Sequence, residues 1–329
     1  MNMIIKALVA LTLFLTYMTS IALANTYPVD DGYTVYERYA RYSKKQPSMQ
    51  FPTIALAHGA CSQFNIAYFE HKKTDRPRSL HLDVFYPNSH PTCLNGESAA
   101  KEQKNYSSVV LIHGGGWRSG NKSHMHYLAS LLVQKGYLVF VPEYTLSAEA
   151  PYPASLTDLQ MAFSWIAQQQ PKLLVDLNDI SIGGGSSGGH IAALIGLKNN
   201  NPSGIKFKHI IDMDGVLNLT DEAALKYENK KGKNSAMALW LSGLTFEENP
   251  RLWQAVSPVE HINSESANLL LIGSGQARFS VGFELAKTKL NKLGKTASEF
   301  HFDNIPHTFW LFEPWASQVA EKIDTFIKN

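Results

Sequence analysis

Residues 183–190 read GGGSSGGH and place two adjacent serines among five glycines, after the apolar run 180–182 and before the apolar run 191–195. In a tight turn between a strand and a helix, a serine hydroxyl is lifted above the sheet, and glycines leave room around it. The start of the helix then offers N–H groups to a developing negative charge. Both Ser186 and Ser187 fit G-x-S-x-G, so either could be a nucleophile, and a plain glycine-rich turn is the alternative. A phosphate-binding loop is excluded because the stretch lacks the Lys that precedes Ser or Thr in such loops.

A second motif, HGGGW at residues 113–117, follows another apolar run and precedes the serines by about 70 residues. Three consecutive glycines let backbone N–H groups turn towards one point, as an oxyanion hole requires. The hole-forming loop comes first and the nucleophile turn second, which is the order expected for acyl-transfer chemistry. Two independent motifs in this order favour a serine hydrolase over a structural turn.

The chain resembles α/β-hydrolases of the hormone-sensitive-lipase-like group, in particular exported bacterial carbohydrate esterases that act as acetyl xylan, pectin acetyl or feruloyl esterases. The resemblance spans roughly residues 78–328, and five segments carry it: LIHGGGWRSGNKS, EYTLSAEAPYPASLTDLQMAFSWI, ISIGGGSSGGHIAAL, SPVEHI and PHTFWLF. It implies an α/β-hydrolase fold with a small helical insertion over the site. Alignment to the family pattern G-x-S-x-G-G makes Ser186 the nucleophile, with Ser187 as the less favoured choice. The N–H groups of Gly115, Gly116 and Ser187 would then form the oxyanion hole.

The general base is expected near the C-terminus, because the triad in this fold runs Ser, acid, His along the chain. His307 follows the last apolar run and matches the family's H-x-F pattern. His113 and His190 are expected to shape their motifs instead of transferring protons. His124 and His126 are two residues apart, which on a helix points them away from each other, so no metal pair is expected.

The triad acid is left open by the sequence. The family places an Asp after the run LLLIGS, but this chain continues GQARFSVGFE without one. Asp214, at the end of the preceding strand, is the first choice, and Glu284, at a helix start in the later loop, is the main alternative. Asp303, four residues before His307, is a third candidate, whereas Asp212 is expected to be structural.

The resemblance implies hydrolysis of short acyl esters, acetyl above all, on plant cell-wall polysaccharides or oligosaccharides, with no metal or cofactor. Feruloyl esterase, lipase and formamidase-like activities are alternatives, and a catalytically degenerate glycan- or partner-binding protein is the alternative from another class. The absence of a long apolar lid argues against long-chain lipids. Five tryptophans near the motifs or in the insertion could stack on sugar rings or pack in the core: Trp117, Trp240, Trp253, Trp310 and Trp315.

Apolar runs that alternate with helical spacing position these residues and predict a mainly parallel sheet with helices on both faces. The predicted organisation is a signal peptide at 1–24, an irregular N-terminal arm at 25–77 with one helix, and a catalytic domain at 78–329. Within that domain a polar, helical insertion covers about residues 218–260.

The first 24 residues carry one Lys, an apolar run and Ala22-Leu23-Ala24, which predicts cleavage after Ala24 and export to the periplasm or beyond, with no membrane span afterwards. The formal charge of the 329-residue chain is +2, which gives no polyanion-binding surface, so nucleic acid is not expected as a partner. Cys61 and Cys93 are the two cysteines, and an even pair in an exported protein predicts a disulfide. The oligomeric state does not follow from the sequence.

Overall fold

The computed structural model describes residues 33–56, 59–71, 78–94 and 105–329. The expected signal peptide and its cleavage site lie outside these residues. Within these ranges, no helix combines the length and the apolar character needed to cross a bilayer.

One sheet of eight strands forms the centre of the described part of the chain. The strands are β1 (Cys61–His71), β2 (Arg78–Tyr86), β3 (Tyr106–Ile112), β4 (Leu138–Pro142), β5 (Val175–Gly185), β6 (Phe207–Met213), β7 (Asn268–Gly273) and β8 (Ala297–His301). Their order across the sheet is β1-β2-β4-β3-β5-β6-β7-β8. β2 is antiparallel to β1 and β4, and the strands from β4 to β8 pair in parallel. The predicted mainly parallel sheet is confirmed.

Helices connect the strands and cover both faces of the sheet. In the described ranges they are α1 (Val35–Tyr42), α2 (His126–Val133), α3 (Ala154–Gln168), α4 (Gln170–Leu173), α5 (Ser187–Lys198), α6 (Glu222–Asn229), α7 (Ala236–Trp240), α8 (Pro250–Ala255), α9 (Phe283–Lys292) and α10 (Trp315–Lys328). Short 3-10 turns lie at 91–93, 122–125, 232–234, 258–261, 277–279 and 309–311.

The central strand β3 shows how the two faces arise from alternation along a strand. Val110 and Ile112 pack into the apolar layer that contains α3 and α5. Val109 and Leu111 point the other way, into the layer that contains α2 and α10. Because both faces are buried, the strand reads as a continuous apolar run, as parallel strands do.

Strand β1 lies in the segment that the sequence predicted to be an irregular arm, and this part of the prediction is wrong. β1 pairs with β2 along its length through two irregularities, so the sheet begins before residue 78. Of its eleven residues, Tyr68 alone is buried, so the strand lacks the alternation that would have revealed it. The predicted disulfide between Cys61 and Cys93 is present and ties the start of β1 to the turn after β2.

Residues 218–260 contain the three short helices α6, α7 and α8. Each of them begins directly after a residue whose side chain caps it. Asp221 caps α6, Ser235 caps α7 and Asn249 caps α8, and each accepts a hydrogen bond from a backbone N–H of the following turn. The tryptophans of this insertion, Trp240 and Trp253, are fully buried. Trp117, Trp310 and Trp315 are buried as well, so the core-packing interpretation holds for all five.

Candidate active site

Ser186 lies between the last residue of β5 and the first residue of α5, at the edge of the sheet where the parallel strands end. Its backbone has φ 56° and ψ −123°, a conformation that side-chain-bearing residues rarely adopt. Hydrogen bonds on both sides hold this turn: the Ser186 N–H donates to Met213 O at 2.8 Å, and its carbonyl accepts from the His190 N–H at 2.9 Å. A strained turn maintained by its surroundings is typical of a functional position.

The glycines beside Ser186 are required by close packing. A Cβ on Gly185 would lie 2.2 Å from the indole ring of Trp310, and one on Gly188 would lie 2.2 Å from the carbonyl oxygen of Ile112. Both distances are far inside van der Waals contact. Glycines are therefore needed in the GGGSSGG stretch because the serine turn packs closely against β3 and the C-terminal loop.

His307 reaches the serine from the loop after β8. Its Nε2 lies 2.8 Å from Ser186 Oγ, and its Nδ1 lies 2.8 Å from Asp214 Oδ2. A neutral ring with its proton on Nδ1 satisfies both contacts, because Nδ1–H then donates to the carboxylate and Nε2 accepts from the hydroxyl. Ser187, the other candidate serine, is buried at the first turn of α5.

Asp214 follows directly after β6, and hydrogen bonds to the end of the neighbouring strand β7 fix its position. Its Oδ1 accepts a hydrogen bond from the Ser274 N–H at 2.7 Å, and its own N–H donates to Ile272 O at 3.0 Å. Ser274 follows β7, the strand after which the family that the sequence resembles has its Asp. The Asp214 carboxylate therefore lies at the expected edge of the sheet although it comes from the adjacent strand.

The other carboxylates that the sequence left open lie elsewhere. The Glu284 side chain is 81% exposed and contacts Lys287 at 3.2 Å on α9, so it does not serve His307. Asp303 is exposed. Asp212 is fully buried and accepts from the Gly215 N–H at 2.8 Å, and its burial raises the pKa well above the ordinary value. Asp212 therefore supports the turn after β6 through this hydrogen bond.

Two aromatic rings enclose His307. The Phe279 ring lies parallel to the imidazole with centroids 3.5 Å apart, and the Trp310 ring lies nearly perpendicular to it with centroids 5.6 Å apart. Burial lowers the pKa of His307 below 6.5, the Asp214 carboxylate raises it, and the Arg278 charge lowers it again. The net shift is downwards, so the ring is neutral at pH 7 and can accept a proton. No role was predicted for Phe279 from the sequence, because its place against the imidazole depends on the fold of the turn 277–279.

Two of the three oxyanion-hole candidates, Gly116 and Ser187, lie at the cavity that contains Ser186. Gly115 and Gly116 have φ 133° and 62°. No hydrogen bond within the described ranges engages the N–H groups of Gly115, Gly116 or Ser187. These donors are therefore available to a ligand.

The histidines of the two motifs are structural. His113 stacks on Tyr144 at 4.4 Å, and the Trp117 indole N–H donates to His190 Nδ1 at 3.3 Å, while His190 Nε2–H donates to Val256 O at 2.8 Å. Burial lowers the pKa of both histidines to about 4. Each stays neutral and fixes the loop that carries it, as the sequence predicted.

A cavity of about 100 Å³ opens at Ser186. It is far smaller than the roughly 300–1,000 Å³ of pockets that hold drug-sized ligands. The insertion and the loop after β7 form much of its wall, and the lining residues are Gly116, Trp117, Ser186, Ser187, His190, Asp214, Val216, Leu219, Ala224, Tyr227, Glu228, Ala236, Arg278 and Phe279. The room next to the serine therefore suits a small group.

The chain is similar to a known protein family, to curated proteins and to solved structures. The sequence model of the BD-FAE family matches residues 97–292, more than half of the chain. This segment contains Ser186, Asp214 and the glycine loop, whereas His307 lies beyond it.

Among curated proteins, Esterase LipQ of Mycobacterium tuberculosis is 25% identical over 242 residues, which are 67% of this chain and 54% of LipQ. Esterase LipC of the same organism is 22% identical, with 68% of this chain and 56% of LipC aligned. The chain thus spans about half the length of these two relatives.

Among solved structures, a truncated carbohydrate esterase from gut microbiota superimposes with a TM-score of 0.65 at 18% identity, covering 85% of this chain and 98% of that one. The butyrate-bound esterase Est2 of Thermogutta terrifontis gives 0.61 at 21% identity, covering 82% and 94%. At these identities the two structures establish the shared α/β-hydrolase fold.

Proposed function

Because the chain belongs to the BD-FAE family of α/β-hydrolases, we propose that it is an exported serine esterase that removes short acyl groups, acetyl above all, from cell-wall polysaccharides or oligosaccharides. The observation that carries this proposal is the continuous chain of two 2.8 Å contacts from Ser186 Oγ through His307 to Asp214. The names of the curated relatives, which are esterases, support the same reaction class.

The geometry fits the Ser-His-acid mechanism. Ser186 Oγ attacks the ester carbonyl while His307 Nε2 takes the hydroxyl proton, and the Asp214 carboxylate stabilises the resulting imidazolium through Nδ1–H. Collapse of the tetrahedral intermediate expels the alcohol, which receives the proton from Nε2. A water molecule, deprotonated by the same nitrogen, then attacks the acyl-enzyme and releases the carboxylic acid and the free serine.

The oxyanion of each intermediate would be bound by the free N–H groups of Gly116 and Ser187, together with Gly115. Loss of one such donor typically costs about 10²–10³ in rate. Because these donors are backbone groups fixed by the glycine loop and by the start of α5, they need no rearrangement when the charge develops.

The cavity volume supports the proposal of a short acyl group. A volume of about 100 Å³ beside Ser186 leaves room for a short acyl chain. Export is supported by the N-terminal sequence and by the Cys61–Cys93 disulfide, since such bonds persist in oxidising compartments. The carbohydrate substrate is supported by the gut-microbiota esterase with the same fold and by the resemblance noted in the sequence.

The test compares hydrolysis of p-nitrophenyl acetate and p-nitrophenyl octanoate by the purified protein. We expect a higher kcat/KM for the acetate, and a preference for eight carbons would contradict the short-chain proposal. Labelling with a fluorophosphonate should modify Ser186 and spare Ser187. The Ser186→Ala variant should lose nearly all activity, with Ser187→Ala as the matched control that retains part of it.

A further inference from the structure

Arg278 lies in the wall of the cavity that contains Ser186 and is exposed at its rim. It belongs to the short turn 277–279 after β7, the loop from which the expected triad acid is missing. The reaction mechanism above assigns no role to this positive charge.

Two aromatic rings hold the guanidinium in place. Its central carbon lies 4.7 Å from the centroid of the Phe279 ring and 5.2 Å from that of Tyr227. Tyr227 comes from helix α6 of the insertion, so the Arg278–Tyr227 contact joins the two segments that form the mouth of the cavity. Stacking on aromatic faces uses the plane of the guanidinium and leaves its N–H donors, which point outwards in that plane, free for a ligand.

No carboxylate within the described ranges forms an ion pair with Arg278, and no hydrogen bond to it is present there. The carboxylates of the cavity wall are Asp214, which is engaged by His307 and Ser274, and Glu228. Glu228 Oε2 accepts a hydrogen bond from the Met237 N–H at 3.4 Å, so its contact is made within the insertion and not with Arg278. The mouth of the cavity therefore presents a positioned cation whose donors are unused.

We propose that Arg278 binds a carboxylate on the alcohol part of the ester, so that the preferred substrates are acylated uronic acid residues. This inference rests on the proposed esterase function and adds its substrate class. A planar guanidinium can hold a carboxylate through two parallel N–H···O bonds, which fixes orientation as well as affinity. The position favours the alcohol side, because Arg278 is exposed at the rim, whereas Ser187, at the oxyanion-hole side of the same cavity, is buried and leaves that side for the acyl group.

The experiment uses two substrates that differ in one group: the methyl glycoside of acetylated galacturonic acid, and that of galactose acetylated at the same position. We expect the wild-type protein to favour the uronate by about tenfold in kcat/KM, the value of one good charge-assisted contact of about 1.4 kcal/mol. In Arg278→Gln this ratio should fall to about one. Arg251→Gln, which removes an exposed arginine of α8 outside the cavity wall, should leave the ratio as it is. Glu228→Gln should raise it.

The same ratio in wild type and Arg278→Gln would overturn the proposal. A second pair, the p-nitrophenyl half-ester of succinic acid and p-nitrophenyl butyrate, places the carboxylate on the acyl side, and a preference for the half-ester that Arg278→Gln abolishes would overturn the alcohol-side assignment. Binding of both glycosides to Ser186→Ala by calorimetry gives a readout without turnover. Turnover of p-nitrophenyl acetate reports separately on the esterase function. Its absence would contradict the esterase proposal, whereas turnover without a uronate preference would contradict only the role of Arg278.

Discussion

Two buried Asp–His pairs in this protein look alike and serve different ends. Asp214 contacts His307 Nδ1 at 2.8 Å, and Asp83 contacts His126 Nε2 at 2.7 Å. The other ring nitrogen of His307 lies against a serine hydroxyl at the cavity. Asp83 instead also contacts the Lys122 ammonium, with 2.8 Å to each carboxylate oxygen, and accepts from the Asn65 N–H at 2.7 Å.

The difference lies in what neutralises the carboxylate. Asp83 has a permanent cation, so its charge is balanced in the resting protein, and the cluster joins β1 and β2 to the turn that begins α2. In the proposed mechanism, Asp214 faces a neutral imidazole and gains a cation when His307 takes the serine proton. The first pair is complete at rest and stabilises the fold, whereas the proposed role of the second is completed in the transition state, which is where an interaction accelerates a reaction.

Asp214→Asn should disrupt the Asp214–His307 pair, which the proposed mechanism uses. We expect a loss of about 10³–10⁴ in kcat, because the amide cannot fix the required tautomer or stabilise the imidazolium. The melting temperature should change little. Steady-state kinetics on p-nitrophenyl acetate measures the effect, with the exposed Glu284→Gln as the control that stays within tenfold of the wild type. A crippled Glu284→Gln beside a mild Asp214→Asn would refute the assignment.

Removing the disulfide should affect the structural region and spare the catalytic one. Cys61 and Cys93 are 32 residues apart, and closing a loop of this length stabilises the folded state by about 3.5 kcal/mol. The Cys61→Ser/Cys93→Ser variant should therefore unfold at lower urea concentration, with kcat at 25 °C close to that of the oxidised protein. A proportional loss of kcat in the folded state would show that the two regions are coupled.

Asp83→Asn should lower the free energy of unfolding and leave kcat unchanged, which would distinguish the Asp83–His126 pair from the Asp214–His307 pair. Removing one partner of a buried ion pair costs about 3 kcal/mol, because the Lys122 charge stays buried without its counter-ion. Urea unfolding should show this loss while the folded variant keeps its kcat.

The pH dependence gives the Asp83 comparison a second readout. Burial alone would raise the pKa of Asp83, but the hydrogen bonds from His126, Lys122 and the Asn65 N–H outweigh it and lower the pKa. A depressed acid pKa stabilises the fold above the unfolded-state pKa, and this contribution disappears as pH falls through the folded-state value. The stability difference between wild type and Asp83→Asn should therefore shrink in acid.

Phe279→Ala tests a smaller effect on the catalytic pair. Loss of the stacked ring admits water to His307, which reduces the desolvation that lowers its pKa, so the pKa should rise towards 6.5. The acidic limb of the kcat/KM profile should move to higher pH by less than about one unit, since that limb reports the base of the free enzyme. Phe279→Trp keeps an aromatic face and should retain the original limb. An unchanged limb in Phe279→Ala would exclude this role.

The regular elements and the motifs were predictable because local patterns determine them. The buried strands appear as apolar runs, and the glycines around Ser186 reflect close approach that no other residue permits. β1 was missed because an edge strand with one buried residue has no periodic signal. The acid stayed open because sequence distance says little about which strand ends meet: Met213 and Ile272 pair in neighbouring strands, which brings Asp214 next to Ser274. Phe279 depends on the fold of a single turn, which no pattern encodes.

The indole of Trp310 lies between the turn that carries Ser186 and the loop that carries His307. The ring fills the space that a side chain at position 185 would need, and it lies nearly perpendicular to the His307 ring. A rigid, fully buried ring between the two segments acts as a fixed spacer, since close-packed interiors transmit displacement instead of absorbing it. We therefore expect the C-terminal loop and the serine turn to move together, so that the distance between Ser186 and His307 varies less than the position of either residue.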